Sequence, residues 1–185
     1  KGFEGTVGNL KATVEIEGQD RIFEADRILV TVGRKPNTSG LEIEKAGIKT
    51  DQRGFIPVNN KCQTSVPHIY GIGDVIGNPM LAHKASKEGE VVAEIIAGHN
   101  RVVDYVAMPA VIFSDPEIAT VGLSESEAKE KGYDAVSGKF PFAAIARPAT
   151  QLQTEGYVKF IFDKESKQVL GVHIIGANAS DLIGE

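Results

Sequence analysis

Tyr70-Gly71-Ile72-Gly73-Asp74-Val75, followed by Met80-Leu81-Ala82-His83, decides the reading of this chain. An apolar run, Ile69 to Ile72, reads as a strand that enters two glycines and then a carboxylate. Glycine lets a backbone come close to a ligand. A fixed carboxylate accepts hydrogen bonds from hydroxyl groups. The helix expected to begin at Leu81 carries no acidic residue in its first turn, and a helix start offers free N–H groups with a partial positive charge. Together these residues predict one wall of a site for a cofactor with a polyol chain and a ring.

Outward from that stretch, the apolar set Leu81, Ala85, Val92, Ile95 and Ile96 has helical spacing and ends at Gly98. The charged set Lys84, Lys87, Glu88 and Glu94 is expected mostly on the rest of the helix surface. Upstream, Ala12, Val14 and Ile16 alternate with polar residues, and Arg21 to Glu24 returns after a turn at Gly18-Gln19-Asp20. Ile28-Leu29-Val30-Thr31-Val32 is a short β-branched run expected as a strand buried on both faces. Leu41 to Ala46 predicts about two turns of helix stopped by Gly47, Asp51 to Gly54 a turn, and Phe55 to Val58 an extended edge segment.

Downstream, Ala110 to Phe113 and Ile118 to Val121 read as strands around Ser114-Asp115-Pro116. Ser124-Glu125-Ser126-Glu127 is a capping box opening a helix that ends at Gly132. Tyr157 to Asp163 and Val169 to Ile175 form a hairpin, and residues 178–185 begin a further helix. The fold class expected is α/β layers in the first part and an α+β unit with antiparallel connections from about residue 105.

The composition narrows the function. With 42% hydrophobic and 24% charged residues, the 185-residue chain is of ordinary globular type. A net charge of -5 argues against nucleic acid or an anionic membrane as the main partner. No run of about 18 apolar residues suited to a membrane helix occurs, and Lys1-Gly2-Phe3-Glu4 does not read as a signal peptide. The single cysteine, Cys62, excludes an internal disulfide and suits a reducing compartment, the cytoplasm or a mitochondrial matrix. Neither G-x-G-x-x-G nor G-x-x-x-x-G-K-[ST] is present. No metal ligand set is expected.

Thr31-Val32-Gly33-Arg34-Lys35-Pro36-Asn37-Thr38, Gly71-Ile72-Gly73-Asp74, Pro79 to Ala85, Phe113 to Gly122 and Gly171 to Gly176 occur in that order. On these motifs the chain resembles the C-terminal half of the pyridine nucleotide–disulfide oxidoreductases, most of all the members that act on dihydrolipoyl groups. The resemblance implies that residues 1–36 end an NAD-binding domain, 37–103 form the C-terminal part of an FAD-binding region, and 104–185 belong to a dimerisation domain. It implies that Asp74 hydrogen-bonds the ribityl chain of FAD, that Met80, Leu81, Ala82 and His83 touch the flavin chiefly through the backbone, and that Gly33 lets NAD approach. Beside these roles stand plainer ones: Asp74 capping its loop, Leu81 packing in a core, Gly33 serving the turn before Pro36.

By the same resemblance the full-length parent oxidises protein-bound dihydrolipoyl groups through a redox disulfide and FAD, and reduces NAD. Its partners are a second copy of itself and the lipoyl-bearing acyltransferase component of a 2-oxoacid dehydrogenase complex. The family's reactive cysteine pair and its His-Pro…Glu base segment are not found in this sequence, so no catalytic residue is expected here and the segment alone is expected to be inactive. Relatives of the glutathione or mercuric reductase type, or a catalytically silent dimerisation module, are the alternatives. Cys62 reads as a semi-buried small residue, His173 as a packed strand residue, and His68 and His99 as surface residues. Ala146-Arg147-Pro148-Ala149-Thr150 departs from the small-polar and arginine stretch of the family.

Overall fold

The alternating segment around Ala12, Val14 and Ile16 is the central strand of a three-stranded antiparallel meander, β1 (Gly2–Thr6), β2 (Asn9–Ile16) and β3 (Gln19–Ala25). This computed structural model describes residues 1–77 and 79–184. The chain divides into two compact units, Lys1–Lys35 and Pro36–Glu185. The β2–β3 turn is centred on Glu17 and Gly18, with φ of 52° and 78°. Positive φ at both central residues gives the twist that a tight hairpin needs. The turn therefore lies one residue earlier than the sequence suggested.

The expectation for Ile28 to Val32 is overturned. The run pairs with no strand among the described residues, and Leu29, Val30 and Val32 are exposed. A β-branched run becomes a strand only where a neighbour supplies the ladder and the covering surface.

In the second unit, the expected helix at Leu41 to Ala46 is a single 3₁₀ turn, Ile43–Ala46, closed by Gly47 at φ 80°. Asp51 makes the predicted turn, accepting Gly54 N–H on its carbonyl at 3.0 Å and Phe55 N–H on its side chain at 2.9 Å. The expected strand at Ile69 to Ile72 contracts to one bridge between Gln63 and Tyr70. Helix α1 (Ala82–Ile96) follows and is stopped by Gly98 at φ 92°, as its spacing predicts. Val91 of α1 packs with Cys62 and Val103 in a small core flanked by Ile76, Val92 and Ile95.

The rest of this unit is built on a five-stranded antiparallel sheet. Its strands are β4 (Ala110–Ile112), β5 (Glu117–Gly122), β6 (Ala135–Pro141), β7 (Tyr157–Asp163) and β8 (Val169–Gly176), in the order β4-β5-β8-β7-β6. The predicted β7–β8 hairpin lies inside it, and the α+β expectation for this part is met. Helix α2 (Glu125–Glu130) begins in a complete capping box: Ser124 Oγ accepts from Glu127 N–H, and Glu127 Oε2 accepts from Ser124 N–H at 2.8 Å. Helix α3 (Ala146–Thr150) occupies the stretch that departs from the family pattern. Helix α4 (Ala179–Leu182) begins where the sequence placed a helix start, although residue 185 lies outside the described residues. One core joins Ala119, Phe142, Ile174 and Ala179, and another joins Ala128, Ala135, Ile161 and Leu170. Among the described residues no helix is long and apolar enough to cross a membrane.

Candidate cofactor site

Gly73 opens a 3₁₀ turn, Gly73–Ile76, with φ of 74°. A left-handed φ of this kind favours glycine. A Cβ at Gly73 would stand 3.3 Å from the Cβ of Ala85, so the turn lies directly on α1. Asp74 is the second residue of the turn and is exposed. Its main-chain carbonyl accepts Gly77 N–H at 3.2 Å, which closes the turn.

The inner side of the turn is held by two charged side chains of α1. Glu88 Oε2 accepts Gly73 N–H at 2.7 Å. Lys84 Nζ donates to the carbonyls of Gly73 at 3.1 Å and Gly77 at 3.2 Å. The two side chains pair with each other at 3.0 Å, and their exposures are 1% and 0%. Tyr105 Oη donates to Glu88 Oε1 at 2.5 Å. Burial, then the adjacent Glu88 carboxylate, pushes the Tyr105 phenol well above its usual range. The hydroxyl therefore stays a donor at neutral pH.

This cluster corrects the sequence reading, which put Lys84 and Glu88 mostly away from the buried face. They occupy the same helical stripe as Val91 and Ile95. The signal was present as opposite charges at i and i+4 within an apolar stripe. Such residues stay buried only when their hydrogen-bonding capacity is met, and here the loop backbone meets it. Tyr105 carried no local signal.

The helix start also has the predicted character. Leu81, the N-cap, offers no side-chain cap, and the first turn holds no acidic residue. Met80 and Leu81 are half-buried, and Ala82 and His83 are exposed. His83 Nε2 lies 2.7 Å from the Pro109 carbonyl, which ties the ring to the approach to β4. The structure thus brings Asp74 and the start of α1 onto one helix-and-turn unit. Gly33 belongs to the Lys1–Lys35 unit, is exposed and has φ 128°, a conformation that favours glycine.

Cys62 is fully buried rather than semi-buried, with 1% exposure. Burial raises its thiol pKa, away from the reactive thiolate form. His173 is packed in β8, with Nε2 3.1 Å from the Leu123 carbonyl. His68 and His99 are on the surface.

Two models of one family match the sequence: "Pyridine nucleotide-disulphide oxidoreductase" over residues 2–89, and the dimerisation domain of the same family over residues 108–185. The chain belongs to the pyridine nucleotide–disulfide oxidoreductases. Among the relatives of this oxidoreductase segment, dihydrolipoyl dehydrogenase of Geobacillus stearothermophilus is 51% identical over 185 residues, all of this chain and 39% of the relative. Dihydrolipoyl dehydrogenase of Bacillus subtilis is 48% identical over the same span, again 39% of that protein. Solved structures agree in fold. LpdA from Mycobacterium tuberculosis superposes with a TM-score of 0.86 at 28% identity, covering 96% of this chain and 38% of that one. The HOCl-induced flavoprotein disulfide reductase RclA from Escherichia coli gives 0.84 at 27% identity, covering 96% and 40%. The oxidoreductase segment therefore spans about two-fifths of the length of the relatives it matches.

Proposed function

We propose that these residues form the C-terminal part of a flavoprotein of the dihydrolipoyl dehydrogenase type. The observation that carries the reading is the exposed Asp74 on a turn anchored to α1, beside a helix start with neither a side-chain cap nor an acidic residue. A carboxylate accepts hydrogen bonds from sugar-type hydroxyls. A bare helix start favours negative charge at a ring edge. That donor and acceptor set fits the ribityl chain and flavin ring of FAD.

FAD, when bound, supplies the two-electron redox chemistry. Asp74 holds the ribityl hydroxyls. Met80, Leu81, Ala82 and His83 present backbone to the flavin, and the positive end of α1 favours its reduced, more negative state. This contribution is about 0.3–2 kcal/mol, enough to bias a potential and not enough to drive a reaction. Gly33 gives NAD a close approach to its own unit.

On this reading residues 1–36 close the NAD-binding domain, 37–103 complete the FAD-binding region, and 104–185 form the interface of a homodimer. The full-length protein oxidises a dihydrolipoyl dithiol to the disulfide. The electron pair leaves with one proton as hydride to NAD, and the second proton goes to solvent. The lipoyl group is carried by the acyltransferase component of a 2-oxoacid dehydrogenase complex, and the setting is cytoplasmic. The support is the near 50% identity to dihydrolipoyl dehydrogenases along the whole segment.

The test is to purify the full-length protein bearing this segment, record its flavin absorbance, and assay NAD reduction with dihydrolipoamide and with reduced glutathione. Bound flavin and turnover with dihydrolipoamide alone are expected. A colourless protein, or preference for glutathione, overturns the assignment.

A further inference from the structure

Gly73 is held at both of its main-chain polar groups by one helix. Its N–H is fixed by Glu88 at 2.7 Å and its C=O by Lys84 at 3.1 Å. Fixing both groups sets the planes of the peptides on either side of Gly73, and Asp74 is the next residue. Lys84 also fixes the far end of the turn through the Gly77 carbonyl at 3.2 Å. The helix that provides these anchors is the helix whose first turn forms the other half of the cofactor site.

The choice of residue types is informative. A buried ion pair is commonly no better for stability than a well-packed apolar pair of similar size. An apolar pair would hold the helix against its neighbours equally well, but would leave the orientation of the Gly73 peptides unspecified. Hydrogen bonds from a buried, fully satisfied network define one geometry. Among the described residues no buried side-chain polar atom lacks a partner.

Tyr105 adds a link from outside the helix. It lies between α1 and β4, and lines a cleft with Gly122 and Leu123 at the end of β5 and with Leu170 of β8. Its hydroxyl reaches back to Glu88 Oε1. The carboxylate that holds Gly73 is thus also held by the segment leading into the five-stranded sheet.

We propose that Lys84, Glu88 and Tyr105 are positioning residues that fix Asp74 relative to the first turn of α1, and so set both affinity for the flavin and its electronic environment. This rests on the proposed FAD site. Tyr105 is the residue best suited to test it, because Phe keeps the ring and removes only the hydroxyl.

The experiment uses the full-length protein in its wild-type, Tyr105→Phe and Glu88→Gln forms. Three quantities are measured: the FAD dissociation constant, the visible circular dichroism and midpoint potential of the bound flavin, and thermal unfolding without FAD. For Tyr105→Phe we expect FAD binding weakened roughly tenfold, because the loosened turn must be ordered when the flavin binds. A changed flavin dichroism and a shifted potential are expected in a protein that stays folded, with an apoprotein melting temperature lowered by the lost hydrogen bond to the buried Glu88. Glu88→Gln should change the dichroism in the same sense. If the wild type binds FAD and Tyr105→Phe is folded with unaltered affinity, dichroism and potential, the positioning role is refuted while the FAD site stands. If the wild type binds no FAD, the site reading fails and takes this inference with it.

Discussion

Lys84 Nζ and Glu88 Oε1 stand 3.0 Å apart on successive turns of α1, and both side chains are buried. Removing one partner leaves the other charge in a poor solvent. Lys84→Met strands the Glu88 carboxylate and frees the Gly73 and Gly77 carbonyls, for an expected loss of about 3–5 kcal/mol. The double variant Lys84→Met/Glu88→Leu removes both charges and should lose less than the sum of the two single changes. Urea unfolding of the wild type, both single variants and the double variant measures the coupling. Additive losses would contradict a linked pair.

Asp74 sits on the outside of the turn that this pair holds from within. Asp74→Ala removes the proposed ribityl acceptor and should weaken FAD binding by ~10-fold or more, the scale of a hydrogen bond to a charged group. The exposed position predicts a much smaller effect on unfolding. Flavin absorbance after gel filtration, read beside the melting curve, separates the two. Full retention of FAD would place the ribityl contact elsewhere.

Glu125 meets Lys159 at 2.9 Å, Lys129 at 3.0 Å and Ser137 at 3.1 Å. These contacts, Lys159 first, pull its carboxyl from the usual 4.5 to about 2. Its folded pKa lies below its unfolded one, so the contribution to stability is complete above about 4.5 and is lost as pH falls through about 2. The carboxyl carbon of Glu125 should titrate with a midpoint near 2, and Glu125→Gln should flatten the acid limb of the stability curve between these values. A midpoint at an ordinary glutamate value would mean that the cluster does not hold in solution.

The capping box of α2 gives a local prediction. Ser124→Ala removes the acceptor for Glu127 N–H and should cost about 0.5–2 kcal/mol. Ser124→Asp should retain most of the cap. Chemical denaturation of the pair checks this, and equal losses in both variants would rule out a capping origin.

Gly156 adopts φ 104°, and a Cβ there would stand 1.8 Å from the Ile175 carbonyl oxygen. Gly156→Ala must shift the backbone at the start of β7 and should destabilise the sheet by more than ~1–3 kcal/mol. Slower amide exchange across β7 and β8 belongs to the wild type. Equal protection in the variant would contradict the close approach.

The parts legible in the sequence rest on local rules. The hairpin of β7 and β8 followed from composition and a charged turn, α1 from the spacing of Leu81, Ala85, Val92 and Ile95, and α2 from the capping box at Ser124. β6 carries no clear strand signal because Ala135–Pro141 is largely exposed and contains Gly138 and Pro141, which obscure any strand pattern. Ile28 to Val32 departs from its expected strand for the opposite reason: its strand propensity is strong, yet the described residues give it no partner.

By itself the sequence determined where α1 and α2 stop and which carboxylate stands at the glycine-bearing turn, and it located the β2–β3 turn to within a residue. Those features depend on backbone stereochemistry and on neighbours a few residues apart. Only the tertiary structure decided the order β4-β5-β8-β7-β6, and that Lys84 and Glu88 turn inward to grip Gly73. Strand order depends on pairing between segments far apart in the chain. A buried charge depends on partners, here the Gly73 and Gly77 backbone and the Tyr105 hydroxyl, that local periodicity does not bring together.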